Sequence, residues 1–276
     1  MADGMTGRDT STLRLPGGFL SADGQCKDQA TLRPLTGQEE EWLMAHPEAP
    51  SAVAVTHLLA ACLVSLNGEA VSPGTVRSLL VGDRDFLMLH LRQLTLGDRI
   101  RAVYACPGCS ARMDIDFSTE EVPVEVRRQT KPYEQMELSS GRAVRFRLPN
   151  GGDQEAVLDS PPENRVPALI ARCLDAEDAP RSESEIQEIS DAMERLAPKV
   201  EIDLDLTCPE CGHAFTAPCD VTSLFLGEMR SQARGFLREV HFIAFYYHWS
   251  EQEILSLTRN RRREYLALLD ETLRAV

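Results

Sequence analysis

Two cysteine frames of the form C-P-x-C constrain the fold of this chain more than any other feature. They are Cys106-Pro107-Gly108-Cys109 and Cys208-Pro209-Glu210-Cys211. Alternating apolar and polar residues, which are typical of strands, precede and follow each frame: 99–105 and 113–117 around the first, 200–207 and 214–217 around the second. The order strand, knuckle, strand therefore occurs twice, and this is the layout of a zinc ribbon.

The two frames together supply the donors of a closed metal shell. A tight turn after the first cysteine of a frame directs two thiolates toward one point, and two such turns complete a tetrahedral set with Zn–S bonds of ~2.3 Å. The sequence therefore predicts a structural zinc ion, and its four ligands are Cys106, Cys109, Cys208 and Cys211.

The residues around the frames suit knuckle turns. Pro107 and Pro209 fix φ after the first cysteine, and Gly108 and Gly212 can adopt the positive φ that knuckles often need. His213 is a further ligand candidate, but four thiolates already fill the shell, so we expect it beside the site or on the surface.

Three other interpretations of the cysteines stay open. A redox C-x-x-C motif normally occurs once, at a helix N-terminus of a βαβ unit, whereas this frame is duplicated. Two disulfides are disfavoured in a cytosolic chain. The third alternative is a pair of knuckles that no longer binds metal.

Charge and motif content exclude several classes of function. The 276 residues include 43 acidic and 29 basic side chains, and the net charge of −14 argues against a nucleic-acid partner, which would require a basic face. The sequence has no apolar run long enough for a membrane span and no apolar segment of a signal peptide near its N-terminus. Phosphate loops, nucleophile elbows and paired catalytic carboxylates are also missing. We therefore expect a protein that is not an enzyme and has no membrane partner or small-molecule substrate.

The pattern of caps and breakers predicts an α+β chain in four parts. Residues 1–34 read as an irregular arm and 35–98 as a helical region, in which Thr36 and Glu39 form a capping box and a helix over 51–66 ends at Asn67-Gly68. Residues 99–223 form the zinc-ribbon-like β core, interrupted by a long α/β insertion at about 120–198. In that insertion, 149–152 read as a hairpin turn, and a helix is expected from Ser182.

Residues 224–276 are predicted to form a three-helix module. The first helix spans 224–247, and Ser250 and Thr258 cap the second and third. We expect this module to dock on a partner, with arginines facing outward toward an acidic surface. The alternative is an aromatic core beneath a salt-bridged helix surface. The candidate partner-binding residues are Trp249, Arg259, Arg261, Arg262 and Arg263.

One combination of motifs resembles a known family. The run 79–86, LLVGDRDF, followed by 91–98, LRQLTLGD, leads directly into the first cysteine frame. This combination, with 144–151 and the stretches 237–241 and 247–255, is similar to the baseplate hub and hub-assembly proteins of T-even-type contractile phage tails and related contractile injection systems. The resemblance covers roughly residues 35–276.

The resemblance implies a structural or assembly role whose partners are other baseplate or hub proteins, with no chemistry. Such a protein assembles in the bacterial cytoplasm, and a permanent subunit and a departing chaperone both fit. Because some members of the family lack one or both knuckles, zinc is inferred from the cysteines of this chain. The rival from another class is a cytoplasmic zinc-ribbon adaptor in transcription or RNA handling, against which the negative charge counts.

Overall fold

A computed structural model describes residues 10–21, 24–200 and 202–275. The strands are β1 Ser11–Leu20, β2 Cys26–Leu32, β3 Leu63–Leu66, β4 Glu69–Ala70, β5 Arg99–Ala105, β6 Arg112–Ser118, β7 Val124–Glu125, β8 Glu134–Glu137, β9 Ala143–Phe146, β10 Lys199–Val200, β11 Ile202–Thr207 and β12 Ala214–Cys219. The α-helices are α1 Gly37–Ala45, α2 Ser51–Cys62, α3 Pro73–Ser78, α4 Val81–Leu96, α5 Gly151–Ala156, α6 Arg165–Cys173, α7 Glu183–Leu196, α8 Val221–Ser231, α9 Ala233–Tyr247, α10 Glu251–Leu255 and α11 Arg259–Arg274. The mixture confirms the predicted α+β class.

The N-terminal segment is ordered, so the expectation of an irregular arm is wrong for β1 and β2. These strands form half of a four-stranded antiparallel sheet with the order β1-β2-β3-β4, and Leu15, Ala30 and Leu32 are completely buried in it. The strand period is obscured because the pairing of β1 with β2 shifts register between Arg14 and Phe19, where a Pro-Gly-Gly sequence lies. Residues 1–9, 22 and 23 of the predicted arm lie outside the described residues.

The sheet is completed by a hairpin that sequence reasoning assigned to a helix. Helix α2 ends at Cys62, and β3 pairs with both β2 and β4. Asn67 and Gly68, read as a helix end, have φ of 49° and 80° and form the two-residue turn between β3 and β4. Both residues need positive φ in such a turn, which explains the Asn-Gly pair as well as a helix C-cap does.

Helix α4 lies at the junction of three apolar clusters. Its Leu87 and Leu91 are buried in the main cluster, with residues of the sheet, α2 and α8. Leu89 belongs to the cluster formed by the two zinc-ribbon hairpins, and Leu80, which precedes α4, to the cluster of the insertion. All faces of α4 are therefore in contact with protein, and the helix connects the sheet, the ribbon and the insertion.

Three charged residues of α4, Asp83, Arg84 and Arg92, are buried and form hydrogen bonds to other segments of the chain. Asp83 accepts hydrogen bonds from the backbone N–H groups of Gly17 (2.7 Å) and Gly18 in β1. Arg84, 1% exposed, donates to Thr56 Oγ1 (2.9 Å) and to backbone carbonyls of α2 and α3. Because unpaired buried charges are very unfavourable, these contacts specify one arrangement of α4 against its neighbours.

Arg92 makes the corresponding connection at the other end of α4. It is 2% exposed and forms a bidentate pair with Glu228 of α8, with both N···O distances at 2.9 Å. The same guanidinium donates to the carbonyl oxygens of Gly97 and Arg99, where the chain leaves α4 and enters β5. Arg92 therefore fixes the start of the first ribbon hairpin relative to α8.

The insertion contains the β8–β9 hairpin followed by α5, α6 and α7. The predicted turn at 149–152 is wrong: the turn between β8 and β9 lies near Gly141 (φ 78°), and Asn150 instead caps α5 in a capping box with Asp153. The cap of α7 by Ser182 is confirmed. Arg147 and Arg172 both pair with the buried carboxylate of Asp153 and thereby tie β9 and α6 to the start of α5.

The C-terminal region has one more helix than predicted. The expected helix over 224–247 is broken at Gln232 into α8, which is buried in the main core, and α9. Ser250 and Thr258 cap α10 and α11 as predicted. In the described part of the chain, no helix is both long enough and apolar enough to span a membrane.

Gly82 in α4 provides a test of how tightly the insertion packs on this helix. A Cβ atom at Gly82 would lie 1.9 Å from the carbonyl oxygen of Pro198. We expect Gly82→Ala to lower the free energy of unfolding by about 2 kcal/mol or more through overpacking, measured by urea denaturation. Gly74→Ala is the matched control, because the nearest atom to its Cβ is Ser72 Oγ at 3.5 Å. A helical alanine there should be neutral or slightly stabilising. Equal effects of the two substitutions would contradict the proposed close contact.

Asp83 should make stability depend on pH. Burial raises the pKa of this carboxyl to about 6 from its ordinary 3.8, against the opposing effect of the Gly17 and Gly18 N–H groups. A raised carboxyl pKa favours the folded state below the unfolded pKa, and this advantage is lost as pH rises through about 6.

Asp83→Asn keeps an oxygen acceptor but removes this titration. The free energy of unfolding of the wild type minus that of Asp83→Asn should fall by up to about 3 kcal/mol between pH 4 and pH 7, as measured by denaturation at each pH. Both proteins contain the same cysteines and other titrating groups, so those contributions cancel. A difference that stays constant with pH would rule out this role for Asp83.

Candidate metal centre

The structure brings the four predicted ligands together. The Sγ atoms of Cys106, Cys109, Cys208 and Cys211 all lie within 4.8 Å of one another. Two of the distances are 3.7 Å, from Cys106 to Cys211, and 3.6 Å, from Cys109 to Cys208. A tetrahedron with Zn–S bonds of ~2.3 Å has S···S edges of ~3.8 Å, so the donor set fits a four-coordinate thiolate site.

The two knuckles have the same backbone design. In each, the first cysteine donates its N–H to a residue five positions on, Ala111 or His213, and accepts from the residue four positions on, Ser110 or Gly212. Ser110 and Gly212 both have positive φ, 62° and 71°. The prediction is correct for Gly212 and wrong for Gly108, because the left-handed position is the fourth residue after the first cysteine.

Backbone N–H groups within the knuckles point at the sulfur atoms. Gly108 N lies 3.3 Å from Cys106 Sγ, and N–H groups of Ala111 and His213 donate to Cys109 and Cys211. The N–H of Cys211, helped by that of Glu210, lowers the pKa of Cys208 to about 7 against the effect of burial, whereas the neighbouring thiols raise the pKa of Cys109 and of Cys211 despite their backbone donors. Such donors favour the thiolate, the form that binds metal.

The two hairpins pack on each other behind the sulfur atoms. Cys106, Cys208 and Met113 form a small buried cluster, and partly buried apolar residues of both hairpins cover it: Tyr104, Ala111, Ile115, Leu206 and Phe215. Cys106 and Cys208 are 1% exposed, whereas Cys109 and Cys211 are at the surface. The centre is therefore open to water on one side and held by protein on the other.

His213 lies beside the four-sulfur cluster, as expected. A Cβ atom at Gly108 would be 3.3 Å from the ring of His213, so this exposed ring lies over the first knuckle. Its centroid is 6.0 Å from that of Phe215. Because Gly108 has no side chain, the two knuckles can approach each other closely at this point.

A metal bound by all four thiols would have no coordination position left for a substrate. All eight cysteines lie in the described residues and are free thiols, so the two-disulfide alternative does not describe this structure. The frames lie in the turns of hairpins and not at helix N-termini, which also separates them from the usual redox motif. A closed S₄ shell joins segments, and a metal bound by these four thiols would join β5–β6 to β11–β12.

The predicted partner-binding arginines divide into two groups. Arg261 and Arg263 are exposed, but Arg259 and Arg262 are 6% and 0% exposed, so the expectation that they face outward is wrong. Arg262 donates to Glu40 of α1 (2.6 Å) and Glu239 of α9 (3.1 Å). It is an internal link between helices because its position on α11 faces α1 and α9.

Trp249 is half-buried and packs inside the C-terminal module. Its ring centroid lies 5.5 Å from that of Tyr247 and 4.8 Å from that of Tyr265, and Tyr247 Oη donates to the carbonyl of Tyr265. These contacts join α9 to α11. Trp249 therefore has a packing role within the module, as the alternative interpretation of the sequence proposed.

Sequence reasoning missed the buried ion pairs that connect distant helices. Glu228 with Arg92 and Glu40 with Arg262 connect residues that are far apart in sequence. The available signal was a charged residue among apolar residues of a helix, as at Arg92, which lies four residues from both Met88 and Leu96. The pattern shows that such a residue needs a partner but does not identify it.

The model of a known protein family matches more than half of the chain. A family model described as T4 bacteriophage base plate protein matches residues 20–176. The matched range runs from the end of β1 through α4 and the first cysteine frame to just past α6. The chain matches no curated protein and no solved structure.

The cluster predicts a measurable metal content. We expect about one zinc ion per purified chain by elemental analysis, and loss of that ion in the double variant Cys208→Ser/Cys211→Ser. Chelation should lower the free energy of unfolding by several kcal/mol, because the metal joins two hairpins that are distant in sequence.

Cys26→Ser is the matched control, since Cys26 is an exposed thiol outside the cluster. This variant should retain the metal. A zinc content near zero in the wild type, or metal retained by the double variant, would contradict the assignment.

Proposed function

The chain belongs to the T4 bacteriophage base plate protein family, and we propose that it is a non-enzymatic structural or assembly protein of the baseplate hub of a contractile phage tail or related injection system. The family match over residues 20–176 carries this proposal. A structural zinc ion bound by the four cysteines of the knuckles completes the proposed native state.

The set of four thiolate ligands supports a structural role for the proposed zinc ion. Four thiolates leave zinc without the open position that catalytic zinc sites keep for water or substrate. The ligands come from two hairpins on either side of the insertion, so the metal holds the ribbon closed while the insertion extends from it. This arrangement suits a protein that works through the shape of its surface.

The buried ion pairs support the same role. Arg92 with Glu228 and Arg262 with Glu40 lock α8 and α11 to the part of the chain that the family model matches. Breaking one partner of such a pair strands a buried charge, at a cost of about 3–5 kcal/mol. The C-terminal helices therefore form part of one rigid surface for other baseplate proteins.

We propose that the protein acts in the bacterial cytoplasm while the tail or injection particle assembles. Its partners are other baseplate or hub proteins, with no nucleic acid, membrane or small-molecule substrate. The net charge of −14 supports the exclusion of nucleic acid, because a phosphate backbone is attracted to basic surfaces.

Deleting the gene tests the proposed role. Sheath and tube proteins should still be made, but complete particles should be few or absent by electron microscopy. Expression of the wild-type chain in trans should restore particle numbers, and the Cys208→Ser/Cys211→Ser variant should do so poorly. Normal particle numbers in the deletion strain would refute an essential role in assembly.

A further inference from the structure

Helix α9 presents an apolar face that nothing in the described structure covers. Leu237, Phe242, Phe245 and Tyr246 are 56%, 45%, 63% and 40% exposed, respectively. Three of them are aromatic, and the ring centroids of Phe245 and Tyr246 lie 5.0 Å apart. Large exposed aromatic side chains that lie together on one helix are typical of protein interfaces.

The same face is positively charged. Arg234 and Arg238 are exposed on α9, and Arg234, Arg238 and Phe242 are spaced four residues apart. The one carboxylate of α9, Glu239, is directed inward to Arg262. The structure describes every residue of α9. This helix therefore exposes arginine and aromatic side chains and no acidic side chain. We call Arg234, Leu237, Arg238, Phe242, Phe245 and Tyr246 the α9 face.

This positive surface is unusual for a chain whose net charge is −14. Residues 151–205, which we call the acidic segment, contain 15 acidic and 5 basic residues and hold most of the negative charge. Glu163, Glu177 and Glu183 are exposed there. Val166 in α6 is 56% exposed and lies within three residues of Glu163. The chain therefore carries an apolar-basic helix face and a segment rich in acidic residues, in which several acids and one apolar side chain are exposed.

We propose that the α9 face of one copy of this chain docks on the acidic segment of a second copy. Packing α9 against the same helix of another copy would double the positive charge without supplying a carboxylate, which is unfavourable. A contact between two different surfaces repeats from copy to copy. It gives a ring where the rotation closes and an open filament where it does not. This self-association goes beyond the proposed baseplate function, which a monomeric protein could also perform.

Sedimentation equilibrium of the purified full-length chain tests the contact. The wild type should associate as its concentration rises to about 100 μM, and raising the salt from about 0.05 M to about 0.5 M should weaken association because charges are screened. Arg234→Glu/Arg238→Glu and, separately, Phe242→Glu/Phe245→Glu should each weaken it at least about tenfold. All of these side chains are exposed, so the variants should keep the circular dichroism spectrum and melting temperature of the wild type.

The matched control places a new carboxylate at an exposed apolar residue elsewhere. Val64→Glu in β3, where Val64 is 49% exposed, should associate like the wild type. Reversing the acidic segment with Glu163→Arg/Glu177→Arg/Glu183→Arg should weaken association as much as changing the α9 face does.

Mixing two defective variants separates this contact from a symmetric one. The Phe242→Glu/Phe245→Glu chain keeps a normal acidic segment, and the reversed acidic-segment chain keeps a normal α9 face. Their mixture should form a 1:1 pair that does not grow further, because each partner has lost its second surface.

Several outcomes would overturn the proposal. They are a wild-type chain that is monomeric at every concentration, association that the α9 substitutions leave unchanged, and a mixture that forms no pair. Binding of α9 to vesicles of anionic lipid without self-association would also overturn it, since the aromatic-basic face would then serve a membrane surface. None of these results bears on the gene-deletion test, so the baseplate role stands or falls separately.

Discussion

The buried charges of α4 are the constraint on which the rest of the structure depends. Asp83 holds the bend in β1, Arg84 holds α2 and α3, and Arg92 holds α8 together with the start of β5. Each of these side chains is at most 2% exposed. A buried ion costs several kcal/mol unless its hydrogen bonds are satisfied, so the neighbours of α4 must take these positions for the helix to be buried. The charges thus contribute uniqueness of arrangement more than net stability.

The same reasoning explains the motif that carries the family resemblance. In LLVGDRDF, Gly82 leaves room for Pro198 at the end of the insertion, and Asp83 and Arg84 reach β1, α2 and α3. In LRQLTLGD, Arg92 reaches α8, and Gly97 takes the positive φ of 89° that ends α4. Each of these residues fixes the position of a neighbouring element. The motif is therefore a signature of the fold, and none of these residues needs a catalytic role to explain it.

The predictable parts of this protein are those with local causes. The clustering of the four cysteines, the strands around them and the caps at Thr36, Ser182, Ser250 and Thr258 follow from spacing and cap chemistry, and the structure has all of these features. The errors arose where one signal has two meanings. Asn67-Gly68 suits a helix end and a hairpin turn equally, and the arginine cluster of α11 reads as surface until Glu40 and Glu239 are placed opposite Arg262. Long-range pairing decides such cases, and a single sequence does not encode it in any local pattern.

The family match covers only half of the four-cysteine cluster. The matched residues 20–176 include Cys106 and Cys109, whereas Cys208 and Cys211 lie beyond that range. Half of the donor set is therefore argued from this chain alone, through the convergence of two hairpins to sulfur distances of 3.6–3.7 Å. Arg92 likewise lies inside the matched range, and its ion-pair partner Glu228 lies beyond that range. The four clustered cysteines at the tip of the ribbon and the ion pair at its base thus lie on the same pair of hairpins. The ion pair fixes the start of the first hairpin, and the four cysteines lie where the turns of the two hairpins meet. The insertion therefore runs between two hairpins whose relative position is fixed.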